Sequence, residues 1–189
     1  MPFMRKTATA IAAGAVVFTA GLAGAPMALA DGPDTSPQVR AEIEALPWPS
    51  YSQGDTSPDI ASAKYLLKAE GYYKGDVETD PESFDAELVQ AVAAFDKAND
   101  LPADSSLDSE TWNTLRGAVF GEYGPGTSGA VVCGIQYLLI HDYGKKLDLD
   151  CQYGPATTKA VKEVQGQFDI DADGITGPIT YRALVAGGA

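Results

Sequence analysis

The chain has 189 residues and a formal net charge of −13 at pH 7, with 26 acidic residues against 13 Lys and Arg. Displacement of counterions by Lys and Arg dominates nucleic-acid affinity, so this balance argues against a nucleic-acid partner and makes an anionic membrane surface equally unattractive. Neutral or zwitterionic polymers, small ligands and basic proteins remain as partner classes.

In chain order, Arg5 and Lys6 precede an apolar, alanine-rich stretch that closes on "ALA" at residues 28–30. That is the pattern of a secretory signal peptide over residues 1–30. No later hydrophobic run is long enough for a membrane span, and no Cys follows the cleavage site to carry a lipid anchor. Removing a leader with two cations and no acid takes the charge from −13 to −15 and leaves 159 residues, enough for one ordinary domain or two small ones. Residues 31–50, "DGPDTSPQVRAEIEALPWPS", predict an N-terminal arm with a short helical stretch and a Pro-Trp-Pro linker. Trp48 either packs this arm onto the body of the protein or lies open as a contact residue.

Beyond the arm the chain repeats itself. "YSQGDTSPDIASAKYLL" from Tyr51 lies over "YGPGTSGAVVCGIQYLL" from Tyr123 at an offset of 72, and the offset falls to 69 further on. Ala91, Val92, Thr111, Trp112 and Leu115 then match Ala160, Val161, Thr180, Tyr181 and Leu184. The difference sits in the loop around "KGDVETDPES", where insertions are tolerated. Repeat 1 covers residues 51–117 and repeat 2 covers 118–189.

Each repeat carries three helical patterns. In repeat 2, a helix from about Ser128 to His141 buries Val132, Ile135, Leu138 and Leu139, and a second from Pro155 to Phe168 buries Ala160, Val161, Val164 and Phe168. A third begins at Pro178 and buries Tyr181, Leu184 and Val185. His141 reads as a favourable charge near a helix C-terminus. So small a core is marginal without help. Cys133 and Cys151 are the only cysteines of an exported chain, so a disulfide between them is expected. Closing a loop of that size stabilises by about 3 kcal/mol in the chain-entropy model.

"DIDADG", residues 169–174, has the acidic spacing of a calcium loop, but the position that should hold a bidentate Glu is Thr180. The stretch reads better through its second half. "DCQYGPAT" at 150–157 and "DGITGPIT" at 173–180 share the pattern D-x-x-x-G-P-x-T, each before a helix. Gly at the N-cap, Pro at N1 and Thr at N3 launch the helix, and the Asp accepts turn amides.

"VVCGIQYLL", "DCQYGPATTKAVKEVQ" and "DGITGPITYRAL" together resemble the peptidoglycan-binding-like domain family over about residues 122–186. The family usually has Gly where Cys151 stands, which suggests a turn restrained by the disulfide. Repeat 1 looks like a diverged copy, with Lys64 for the glutamine, Asp85 and Ala86 for Gly154 and Pro155, and Asp108 and Ser109 for Gly177 and Pro178. The resemblance implies an all-α fold of two tandem small three-helix domains that binds cell-wall peptidoglycan. Gln136, Asp150, Tyr153, Gln165 and Asp173 are the candidate peptidoglycan contacts it suggests. Tyr72, Tyr73, Tyr143 and Tyr153 either stack on sugar faces or pack into the core and turns, and packing is favoured at least equally.

No catalytic constellation is singled out, although 26 acidic residues leave a lysozyme-like carboxylate pair open. One histidine is too few for a zinc peptidase, neither cysteine has a His-containing signature around it, and "GPGTSGA" lacks the spacing of a nucleophile elbow. The expectation is a secreted, cell-wall-associated, non-enzymatic protein with no cofactor and no metal. The alternative is a protein-interaction module that docks its acidic face on a basic secreted enzyme.

Overall fold

A computed structural model describes residues 31–32 and 34–188. The leader expected over residues 1–30 lies outside the described residues. Among the described residues there are seven helices in order: α1 Pro37–Ala45, α2 Pro58–Ala69, α3 Ala86–Ala98, α4 Ser109–Val119, α5 Ala130–His141, α6 Pro155–Gln167 and α7 Pro178–Ala186. The arm contributes α1, repeat 1 α2 to α4, and repeat 2 α5 to α7. The fold is all-α; isolated bridges, Tyr51↔Leu107, Thr56↔Ser83, Tyr123↔Thr176 and Ser128↔Gln152, pin the loops. The last two repeat the first two at the sequence offsets of 72 and 69.

The helix starts follow local chemistry. Ser36, Ser57, Asp85 and Asp108 cap α1 to α4 through their side chains, whereas α5, α6 and α7 begin after Gly129, Gly154 and Gly177 with no side chain of their own at the cap. The expected start of α5 at Ser128 moves to Ala130. Ser128 is held extended in its bridge to Gln152, and Gly129 has φ +115, a conformation open to glycine.

The two repeats share one core. α2 and α5 form the largest helix–helix interface, with Tyr65 beside Tyr137 and Leu66 against Gly134. A Cβ at Gly134 would stand 3.1 Å from both Leu66 and Ser62, so glycine lets these helices approach. Both helices are buried nearly all round, from Asp59 to Leu67 and from Val131 to Leu139. Each fully buried Leu or Ile there contributes about 1.5–3 kcal/mol relative to an exposed one. Tyr181 of repeat 2 hydrogen-bonds Ser62 of repeat 1 at 3.0 Å, and Tyr137 donates to Glu82 at 3.0 Å. His141, in the last turn of α5, stacks on Tyr137 and approaches Glu82 at 3.7 Å.

The arm is part of the fold. α1 packs on α7, and Trp48 stacks on Trp112 with ring centroids 5.5 Å apart. Repeat 2 does the same with Phe120 on Tyr181, at 4.1 Å, which extends the internal repeat back to Trp48. Arg182, only 5% exposed, donates to the carbonyls of Ile43, Glu44 and Leu46 and lies 4.3 Å over the Trp48 ring. Asp31 supplies the cap that Gly177 lacks: its carboxylate accepts from Ile179 N at 3.0 Å and Thr180 N at 2.8 Å.

Candidate functional site

Two buried glutamines organise the two D-x-x-x-G-P-x-T loops in the same way. Gln136 Oε1 accepts from Cys151 N at 2.7 Å, while its amide nitrogen donates to Asp150 Oδ1 at 2.8 Å, Gln152 O at 3.0 Å and Thr157 Oγ1 at 3.1 Å. Gln165 Oε1 accepts from Gly174 N at 2.9 Å, and its nitrogen donates to Asp173 Oδ1, Ile175 O and Thr180 Oγ1. In each loop the Asp also accepts the amide two residues on, from Gln152 and from Ile175. The residue after each Asp has positive φ, +59 at Cys151 and +79 at Gly174. Glycine adopts that conformation freely, and for a residue with a Cβ it costs about 1–2 kcal/mol. The Cys133–Cys151 disulfide ties the non-glycine copy to α5, with Cα atoms 4.3 Å apart.

Both glutamines expected as ligand contacts face inward. Gln136 is 1% exposed and Gln165 0%, and their amides already bond to the loops, so they stand behind the surface rather than on it. Asp150 and Asp173 are turned to the same glutamines and turn amides. Tyr153 is 2% exposed, and its hydroxyl bridges the two loops through Gly174 O and Thr176 Oγ1, both at 3.0 Å. Tyr73 is buried as well, and Tyr143 is tied by its hydroxyl to Ala183 O and Leu184 O, so these rings are packing residues. The signal for burial was present in the sequence: Gln136 lies inside "VVCGIQYLLI", a helix apolar on every face, and Gln165 sits beside Val161, Val164 and Phe168.

What the loops build is a cleft of about 750 Å³ on repeat 2. One wall is Pro125 to Ser128, the floor is Gln152 to Pro155, and the other wall is the outer face of α6 with Thr158, Lys159 and Lys162. The second loop supports that wall, since a Cβ at Gly174 would come within 2.8 Å of Lys162 and Thr158. Of the residues on the floor and the Pro125 wall, sequence reasoning expects only Tyr153 as a ligand contact. Asp169, Asp171 and Asp173 do not gather into a metal-binding group among the described residues. Asp173 is turned to Gln165, and Asp171 lies against the arm, where Asp34 N approaches it at 3.5 Å.

Repeat 1 fills the same positions differently. Lys64 replaces Gln136, is fully buried, and donates to Asp85 Oδ2 at 2.6 Å and Asp80 O at 2.7 Å. Burial works against the Asp85 carboxylate, but the bonds from Lys64 and from Leu88 N hold its pKa below the ordinary range. Asp96 replaces Gln165; Oδ1 accepts from Thr111 at 2.9 Å, while the buried Oδ2 has no partner among the described residues. Burial raises its pKa to about 6, the Thr111 bond opposes this, and Asp104 and Asp108 add to it. The folded state therefore holds a proton that the unfolded chain releases above pH 4, so this group's contribution to stability falls as pH rises from about 4 to about 6. Asp96→Asn is expected to stabilise the protein by about 1–2 kcal/mol at pH 8 and to change little at pH 4. Urea unfolding at the two pH values measures this, and equal effects at both would refute it.

Similarity to known proteins follows the repeat boundaries. A family model for the peptidoglycan binding domain matches residues 56–115 and 132–184. The N-acetylmuramoyl-L-alanine amidase CwlM of Mycobacterium tuberculosis is 31% identical over 147 residues, covering 69% of this chain and 36% of that protein. The zinc D-Ala-D-Ala carboxypeptidase of Streptomyces albus G is 36% identical over 101 residues, covering 51% of this chain and 36% of that protein. The chain thus spans about a third of the length of these curated relatives.

Proposed function

The chain belongs to the peptidoglycan binding domain family, and from that premise we propose that it is a secreted, non-catalytic protein that attaches to the bacterial cell wall through the repeat-2 cleft. The observation that carries the reading is the cleft itself. Its floor belongs to a loop locked from behind by Gln136, and its α6 wall is backed by a second loop locked by Gln165, so little ordering remains to be done when a ligand enters. Its lining offers hydroxyls, an amide, two ammonium groups and a tyrosine-floored apolar surface, with no carboxylate, imidazole or thiol to take a proton. That composition suits binding better than bond cleavage. Both relatives bear the names of enzymes acting at a muramoyl–alanine or a D-Ala-D-Ala linkage, which is consistent with a wall ligand.

The test is cosedimentation of the mature chain with purified insoluble peptidoglycan. Wild-type protein should pellet with the wall and release no soluble muropeptides. Ser128→Trp, which places an indole at an exposed position on the cleft wall, should lower binding about tenfold without lowering the melting temperature. Failure of the wild-type protein to pellet would overturn the proposal, and released muropeptides would overturn its non-catalytic part.

A further inference from the structure

Resting on that reading, we infer that the repeat-2 cleft recognises the carboxylates of the peptide stems of the wall, not its glycan chains. The first observation is local charge. In a protein of net charge −13, the lining of this cleft holds Lys159 and Lys162 and no acidic residue. Both lysines are exposed, one helical turn apart on the outer face of α6. Lys159 reaches Glu163 only at 4.0 Å, and Lys162 makes no ion pair with the described residues. Two ammonium groups with unfilled hydrogen bonds on one wall of a cleft make a receptor for an anion.

The second observation comes from the internal repeat. At the positions of Lys159 and Lys162, repeat 1 has Gln90 and Ala93; at those of Thr127 and Gly154, it has Asp55 and Asp85. Tyr153 is matched by Phe84, which is equally buried; Asp85 is neutralised by Lys64, which leaves Asp55 where repeat 2 has two lysines, so the scaffold is kept while the sign of the charge changes. A scaffold requirement would act on both copies alike. The shared scaffold does not require the two ammonium groups, and repeat 1 should bind the same ligand less well. In peptidoglycan the sugars are neutral acetamido sugars, and free carboxylates sit on the peptide stems. An acidic protein approaching an anionic polymer gains nothing at long range, so recognition depends on short-range pairing inside the cleft.

The experiment uses the full mature chain and insoluble peptidoglycan freed of phosphate polymers, either untreated or with its carboxyl groups converted to amides. Wild-type protein should bind the untreated wall and lose about tenfold in affinity on the amidated wall. Lys159→Gln/Lys162→Gln should bind the untreated wall as weakly as wild type binds the amidated one, and should not respond to amidation. Lys159→Arg/Lys162→Arg should retain binding. Isolated stem peptide should compete with the wild-type protein for the untreated wall. Equal binding of wild type to both walls would overturn the inference while leaving wall attachment in place. Binding to neither wall would overturn both. Since both lysines are exposed, an unchanged melting temperature of the Gln variant separates lost recognition from lost folding.

Discussion

Replacement of Gln165 by Leu is expected to lower stability by about 3–5 kcal/mol, because each buried polar group left without a partner costs about 1–3 kcal/mol. Gln165 is the common partner of Gly174 N, Ile175 O, Asp173 and Thr180, four groups that shape the turn before α7. Leu is close to it in volume, so the loss reports hydrogen bonding and not a cavity. Urea unfolding of residues 31–189, followed by circular dichroism, measures it. The same change at Gln136 should cost less, because the Cys133–Cys151 disulfide holds that loop independently. A loss below about 1 kcal/mol for Gln165→Leu would show that the turn finds other partners. The damage should reach the cleft as well, since Tyr153 bonds Gly174 O across the two loops and Lys162 lies against Gly174.

Arg182→Met is expected to cost about 2–4 kcal/mol, by depriving three backbone carbonyls of a charged donor and the Trp48 ring of the nearer of its two cations, the other being Arg116. Met keeps most of the aliphatic volume of the side chain, so packing against α1 survives better than with Ala. The arginine gathers Ile43, Glu44 and Leu46 at the end of α1, and its guanidinium also approaches the Glu44 carboxylate at 3.6 Å. Without it the arm should detach from α7, taking with it the Asp31 cap on Ile179 and Thr180. Trp48 fluorescence should shift to the red as the ring leaves Trp112. An unshifted spectrum with unchanged stability would mean that the arm is held without Arg182, by the Trp48–Trp112 stack, the α1–α7 packing and the Asp31 cap.

Much of the helical framework is legible in the residues. The apolar spacing in repeat 2 marks the buried faces of α5, α6 and α7, and Pro155 and Pro178 mark two helix starts to the residue. The two cysteines indicate their own bond. The site is less legible. Polar residues flanking a family motif, Gln136 and Gln165 among them, look like ligand contacts when the chain is read as a line. Their burial follows from how an amide at the centre of an apolar helix must be satisfied, a three-dimensional condition that the loops meet. The lysines of α6 look in sequence like the solvated face of an amphipathic helix, and they are exposed; only the wall from Pro125 to Ser128, some thirty residues earlier, turns that face into one side of a cleft.

Residue order alone dictates the all-α class, the internal repeat, the caps and prolines that start the helices, and the turn chemistry of the two Asp-led loops. These depend on residues within one or two helical turns of each other, where spacing and backbone preference act directly. Long-range packing is what joins the repeats in one core across α2 and α5, builds Trp48 and Asp31 into it, and opens a cleft on repeat 2. Those features rest on contacts such as Arg182 to Ile43 and Tyr181 to Ser62, which join residues far apart in the chain. No local period encodes such pairs; they are selected by close packing and by the need of every buried polar group for a partner.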